Sequence, residues 1–168
     1  MRSLRPLTIS LAAIVTIIGL CPASIAADSA KSTSWLWPLT PEPAVTRAFD
    51  PPAKPWLSGH LGVDLAAFEG QEVRSPAAGI VSFLGWLVDR NVLTIDHGNG
   101  LRSSFEPVLA TVKLGEHIDR GQIIATVQPG HRPPTVSLHW GVRREENYLN
   151  PLLFIQDRRP SILLPLKN

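Results

Sequence analysis

Val136-Ser137-Leu138-His139-Trp140-Gly141-Val142 alternates without a break between apolar residues and small or polar ones. Side chains on a β-strand point to opposite faces in turn, so this stretch reads as a strand with one buried face. Val136, Leu138, Trp140 and Val142 form the apolar face, and Ser137, His139 and Gly141 the other. Ser137 and His139 then stand side by side, with open space at Gly141. The plain reading is a half-buried strand carrying one exposed histidine.

The same grammar runs upstream. Ile80 to Leu84, Val92 to Ile95 and Gln122 to Val127 are short, β-branched and bounded by turn residues. Gly98-Asn99-Gly100 joins a strand ending near Asp96 to one running Leu101 to Phe105, since these residues tolerate the positive φ of tight hairpins. Ser75 to Gly79 and Lys113 to Glu116 read as further turns. No long helical period appears between residues 60 and 143, and the tail holds at most a short helix beginning at Pro151. The expected fold class is mainly β, built from compact antiparallel sheets with little helix.

Residues 1–26 read as a signal peptide. Arg2 and Arg5 make a basic start, Leu7 to Leu20 is apolar, and Ser24-Ile25-Ala26 supplies the small residues of a cleavage site after Ala26 or Ala27. The apolar stretch is short for a membrane span, and an uncleaved anchor is the alternative. The chain is therefore expected to be exported, to the cell envelope or the outside, and off the membrane once the signal is cut. Cys21 is the only cysteine, and the bulky Leu20 before it argues against lipid attachment. Cleavage leaves no thiol, so an oxidising compartment is harmless.

Loss of Arg2 and Arg5 takes the 16 Lys+Arg to 14, against 14 Asp+Glu. That balance lacks the basic excess of a nucleic-acid binder. Residues 27–55 form a leader rich in proline and tryptophan. Its prolines rule out a regular helix, and Trp35, Trp37, Phe49 and Trp56 are expected to anchor it as an extended segment. Residues 56–156 are expected to be one β domain and 157–168 a tail.

Gly59-His60-Leu61-Gly62-Val63-Asp64 places an imidazole and a carboxylate four positions apart. Together with His139 they offer the two histidines and one acid common in catalytic zinc sites. Four residues of straight strand span roughly 13 Å, so His60 and Asp64 share an ion only if the backbone bends. Gly59 and Gly62 permit a bend, and they argue against the alternative, a helix. Spacing alone leaves the metal reading and a structural reading both open.

The order of motifs resembles the M23 peptidases, the lysostaphin- and LytM-like zinc endopeptidases of bacterial cell walls. The match runs from Gly59–Asp64 through Ser75–Val81, Ile95–Gly100 and Gly115–Gly121 to Leu138–Trp140, within about residues 47–151. The resemblance implies Zn2+ held by His60, Asp64 and His139, a lysostaphin-like β fold, and peptidoglycan peptides as substrate. It also exposes two departures. The first histidine of the family's His-x-His is Ser137 here, and the histidine that follows the family's hairpin is Pro107. Two residues offer themselves as catalytic substitutes: Glu106, beside the lost histidine, and His131, in the loop before the His139 strand. A carboxylate next to a zinc site is a workable general base. The bland alternatives are a surface carboxylate and a loop histidine. The resemblance thus implies a zinc endopeptidase. The alternative is a non-catalytic member that binds wall peptides or activates a separate murein amidase.

His97 reads as structural, and His117 as a solvated turn residue. Arg143-Arg144-Glu145-Glu146 reads as a mixed-charge surface turn rather than an anion site, and Tyr148 as edging the groove or capping the core.

Overall fold

The computed structural model describes residues 34–54, 56–130 and 135–155. Eleven strands and one helical turn follow in order: β1 (Val45–Arg47), β2 (Val63–Ala66), β3 (Glu72–Arg74), β4 (Gly79–Leu87), β5 (Arg90–Asp96), β6 (Leu101–Glu106), β7 (Val108–Ala110), β8 (His117–Ile118), β9 (Ile123–Val127), β10 (Ser137–Arg144), β11 (Asn147–Leu149) and α1 (Leu152–Ile155). The mainly β, antiparallel expectation holds.

An eight-stranded sheet has the order β1-β2-β10-β6-β5-β4-β8, with β11 also paired to β10. A second sheet runs β3-β9-β7. The inner faces of both supply one apolar cluster, with Val63, Leu65, Leu93, Phe105, Leu138 and Trp140 from the large sheet and Val73, Ile124, Val127 and Val108 from the small one. The alternation in β10 sorts as read: Leu138, Trp140 and Val142 are fully buried. Each buried side chain of this size contributes about 1.5–3 kcal/mol of hydrophobic stabilisation.

Gly98-Asn99-Gly100 makes the β5–β6 hairpin, with all three residues at positive φ. Pro151 precedes a helix of one turn, α1.

Residues 34–54 of the proline-rich leader are built into the domain. Leu39 is 1% exposed within the core, β1 pairs with β2, and the Trp35 amide donates to the Phe154 carbonyl at 2.8 Å. Trp35, Trp37 and Phe49 pack against the core as anchors. Trp56 does not: it is 76% exposed, with Lys54 over its ring.

Candidate metal centre

β10 is the spine of the site. Register pairs His139 with Asp64 of β2 on one side and with Glu106 of β6 on the other. Residues directly opposite in an antiparallel ladder share a face. Asp64, His139 and Glu106 therefore form one row on the face turned away from the core. His60 joins them from the loop before β2. An isolated bridge between Asp50 and His60 fixes the loop, and the chain bends at Leu61 and Gly62 before β2 begins. This is the bend that the four-residue spacing required.

Gly62 is needed at that bend. A Cβ there would lie 2.6 Å from His139 Nε2 and 2.6 Å from the Trp140 carbonyl. Only the absence of a side chain lets the loop cross the His139 ring.

Three donor atoms converge. His60 Nε2 is 2.9 Å from Asp64 Oδ1 and 3.0 Å from His139 Nδ1, and His139 Nδ1 is 2.8 Å from Asp64 Oδ1. His60 and Asp64 are buried, and His139 is 14% exposed. Among the described residues, these three form a cluster suited to a metal ion.

The donor chemistry fits a cation. His60 Nδ1 lies 2.7 Å from the Ala48 carbonyl, which can only accept, so Nδ1 carries the ring proton. A neutral His60 then turns its Nε2 lone pair towards a carboxylate oxygen. A proton on Nε2 would relieve one of the contacts, whereas a cation relieves all three. Ligands of one tetrahedral Zn2+ with ~2 Å bonds stand roughly 3.3 Å apart, close to the triangle seen here. A backbone carbonyl that fixes the second ring nitrogen is the usual support for a ligating histidine.

Glu106 is partly exposed in the same row. Simple alternation from residue 107 suggests the opposite face, but Pro107 closes β6 and the chain turns into β7, so Glu106 stays with His139. Arg90 adds positive potential. Its guanidinium is held above its usual range chiefly by the Asp89 hydrogen bond, against the opposing effect of burial, with weaker attraction from Glu106 and Asp64. No sequence motif marks Arg90; only its position does, since it opens β5, two strands from His139.

Ser137 follows on the same face of β10. It is buried, and its hydroxyl has no hydrogen-bond partner among the described residues. Pro107 is also buried. His131 lies outside the described residues. His97 is structural: Nδ1 donates to the Ala78 carbonyl at 2.9 Å, and Nε2 accepts from Ser103 Oγ at 2.8 Å. His117 is exposed on β8.

A family model described as Peptidase family M23 matches residues 58–151. An uncharacterized protein of Mycobacterium tuberculosis is 36% identical over 159 residues, covering 91% of this chain and 61% of its own length. The chain thus spans less than two thirds of that relative. The murein hydrolase activator EnvC of Escherichia coli is 33% identical over 100 residues, which is 56% of this chain and 24% of EnvC. Among solved structures, the catalytic domain of lysostaphin from Staphylococcus simulans shares the fold, with a TM-score of 0.59 at 20% identity over 67% of this chain and 92% of that domain.

Proposed function

This chain belongs to peptidase family M23, and from that membership we propose that it is an exported zinc-dependent endopeptidase acting on peptidoglycan peptides. The observation that carries the reading is the convergence of His60 Nε2, Asp64 Oδ1 and His139 Nδ1 with Glu106 in the same row. Zn2+ is the ion of choice for two imidazoles and one carboxylate. When bound, it supplies a Lewis acid that polarises a carbonyl and acidifies water.

The chain's own residues do the rest. His60 is oriented by the Ala48 carbonyl, and His139 is held by Gly62 on one side and the β-ladder on the other. The Glu106 carboxylate takes the proton of an attacking water that enters along the open face, then returns it to the leaving amine. A positioned base of this kind contributes about 10²- to 10⁴-fold in rate. Ser137 and Pro107 stand where the family's resemblance places histidines, so Glu106 carries the proton transfer alone among the described residues. Export rests on residues 1–26, with their basic start, apolar stretch and small cleavage residues.

A second reading has its own support. With Ser137 and Pro107 in place of both histidines, and with similarity to a murein hydrolase activator, the domain would bind wall peptides or stimulate a cell-wall amidase without turnover.

One experiment separates the two. Purified without chelator, the protein is expected to hold one equivalent of zinc and to release soluble fragments from cell walls. Asp64→Ala is expected to lose both properties. Zinc retention with equal fragment release from the two proteins would remove catalysis by this metal. Zinc retention with no release from either would favour the activator.

A further inference from the structure

The face that carries His139 continues along β10 to a second polar row. Two residues on, Gly141 faces Ser104 of β6, and a Cβ at 141 would sit 2.7 Å from Ser104 Oγ. Four residues on, Arg143 pairs directly with Arg102. The register extends the row at both ends, with Asp96 of β5 beyond Arg102 and Tyr148 of β11 beyond Arg143. The β10–β6 register runs unbroken from His139 to Arg144, so Arg143 and His139 lie on one face. At about 3.3 Å per residue, their Cα atoms are about 13 Å apart.

Like charges directly opposite in a ladder destabilise it, so the Arg102–Arg143 pair calls for a reason. The acids nearby neutralise it only in part. Arg102 Nε donates to Asp96 Oδ2 at 3.0 Å, which fixes one edge of a guanidinium that has five N–H donors. Asp96 is itself pinned by the Gly98 amide at 2.9 Å. Arg143 Nη1 is 3.9 Å from Glu146 Oε2, too far for a hydrogen bond, and Glu146 is 93% exposed. An ion pair of that kind is worth little in water. Two guanidiniums therefore present a net positive row to solvent, beside a phenol that is 41% exposed. Arg143 belongs to β10, ahead of the Glu145-Glu146 turn, and Tyr148 is exposed on β11.

We propose that Arg102 and Arg143, with Tyr148 beside them, form a carboxylate-binding subsite on the sheet face that carries His139, for peptides bearing a carboxylate a few residues from the bond held there. Paired guanidiniums suit a carboxylate because their N–H forks match its two oxygens. Asp96 holds Arg102 in place, which lowers the ordering cost of capture. An extended peptide rises about 3.3 Å per residue, and the arginine side chains reach back, so the carboxylate falls about two to four residues from the metal centre. The inference rests on the peptide-groove reading, not on turnover.

The test is calorimetric titration of the intact chain, after chelation, with alanine peptides of three to six residues. Each peptide is made as free acid and as C-terminal carboxamide. The wild type is expected to bind at least one free acid tenfold or more tightly than its carboxamide, with the preference shrinking as salt rises. Arg143→Gln and Arg102→Gln should each erase the preference, and Arg143→Lys should restore part of it. Thermal unfolding confirms that the variants fold. Equal affinity for acid and amide, no measurable binding of either, or a preference that survives both glutamine substitutions overturns the subsite. Wall digestion is scored separately: a lost peptidase activity with the preference intact sinks only the catalytic reading, and the reverse sinks only the subsite.

Discussion

At the scale of single residues, the site turns on Glu106. Its type and its place beside Pro107 are visible in the sequence, but its direction is not, because alternation fails where a strand turns a corner. The β10–β6 register decides the matter by setting Glu106 opposite His139. Glu106→Gln keeps the shape and removes the base. The substitution is expected to lower kcat on wall peptides by about 10²- to 10⁴-fold with zinc content unchanged. Unaltered kcat, with zinc content verified, would strip Glu106 of its role. His60, Asp64 and His139 could be named from the sequence as a triad, but their convergence could not be derived from spacing. A four-residue separation is too long for a straight strand, and it took the Asp50–His60 bridge and the missing side chain at Gly62 to fold it back. Arg102 and Arg143 were hidden for another reason. Arg102 lies in the expected Leu101–Phe105 strand and Arg143 beside what reads as a surface turn, and only the ladder shows that the two cations face each other.

Among the elements, the two hairpins of the large sheet contrast. β5–β6 turns through Gly98-Asn99-Gly100, residues that accept positive φ, and was legible for that reason. β4–β5 turns at Val88-Asp89, which carries no such mark, so the sequence gives strands too short on either side: Ile80–Leu84 and Val92–Ile95 against Gly79–Leu87 and Arg90–Asp96. Val88 adopts a φ of 59° and is 91% exposed. A β-branched residue in the left-handed region is strained, with a cost of roughly 1–2 kcal/mol. Nothing packs on its side chain to offset that cost. Asparagine tolerates the conformation, so Val88→Asn is expected to raise stability by about 1 kcal/mol, seen as a higher Tm with no change in metal content. An unchanged or lower Tm would mean that the turn relaxes to another conformation once valine is gone.

For the molecule as a whole, the leader and the hairpin are tied together through one half-buried histidine. Trp35 stacks on Trp140 and Phe154 and lies 4.6 Å, ring to ring, from His97. His97 in turn bridges the Ala78 carbonyl before β4 and Ser103 of β6. Trp35 and His97 together thus join the N-terminal segment, the sheet and the C-terminal turn, which is why the leader's anchoring residues are part of one core. Burial lowers the His97 pKa from its usual 6.5, outweighing the Ala78 carbonyl and the Asp96 charge, both of which act to raise it. A group whose folded pKa is depressed binds its proton more readily in the unfolded chain. Its contribution to stability is therefore complete above about pH 6.5, shrinks as pH falls below that, and is gone once pH passes the folded pKa. In zinc-saturated protein, the stability gap between the wild type and His97→Gln should be widest near pH 7.5 and narrow steadily on acidification. Denaturant unfolding of both proteins across that range measures the gap, and taking the difference cancels the titration that the two share. A gap that holds constant or widens in acid would mean that His97 is charged in the folded state, and the neutral bridge between leader and sheet would have to be abandoned.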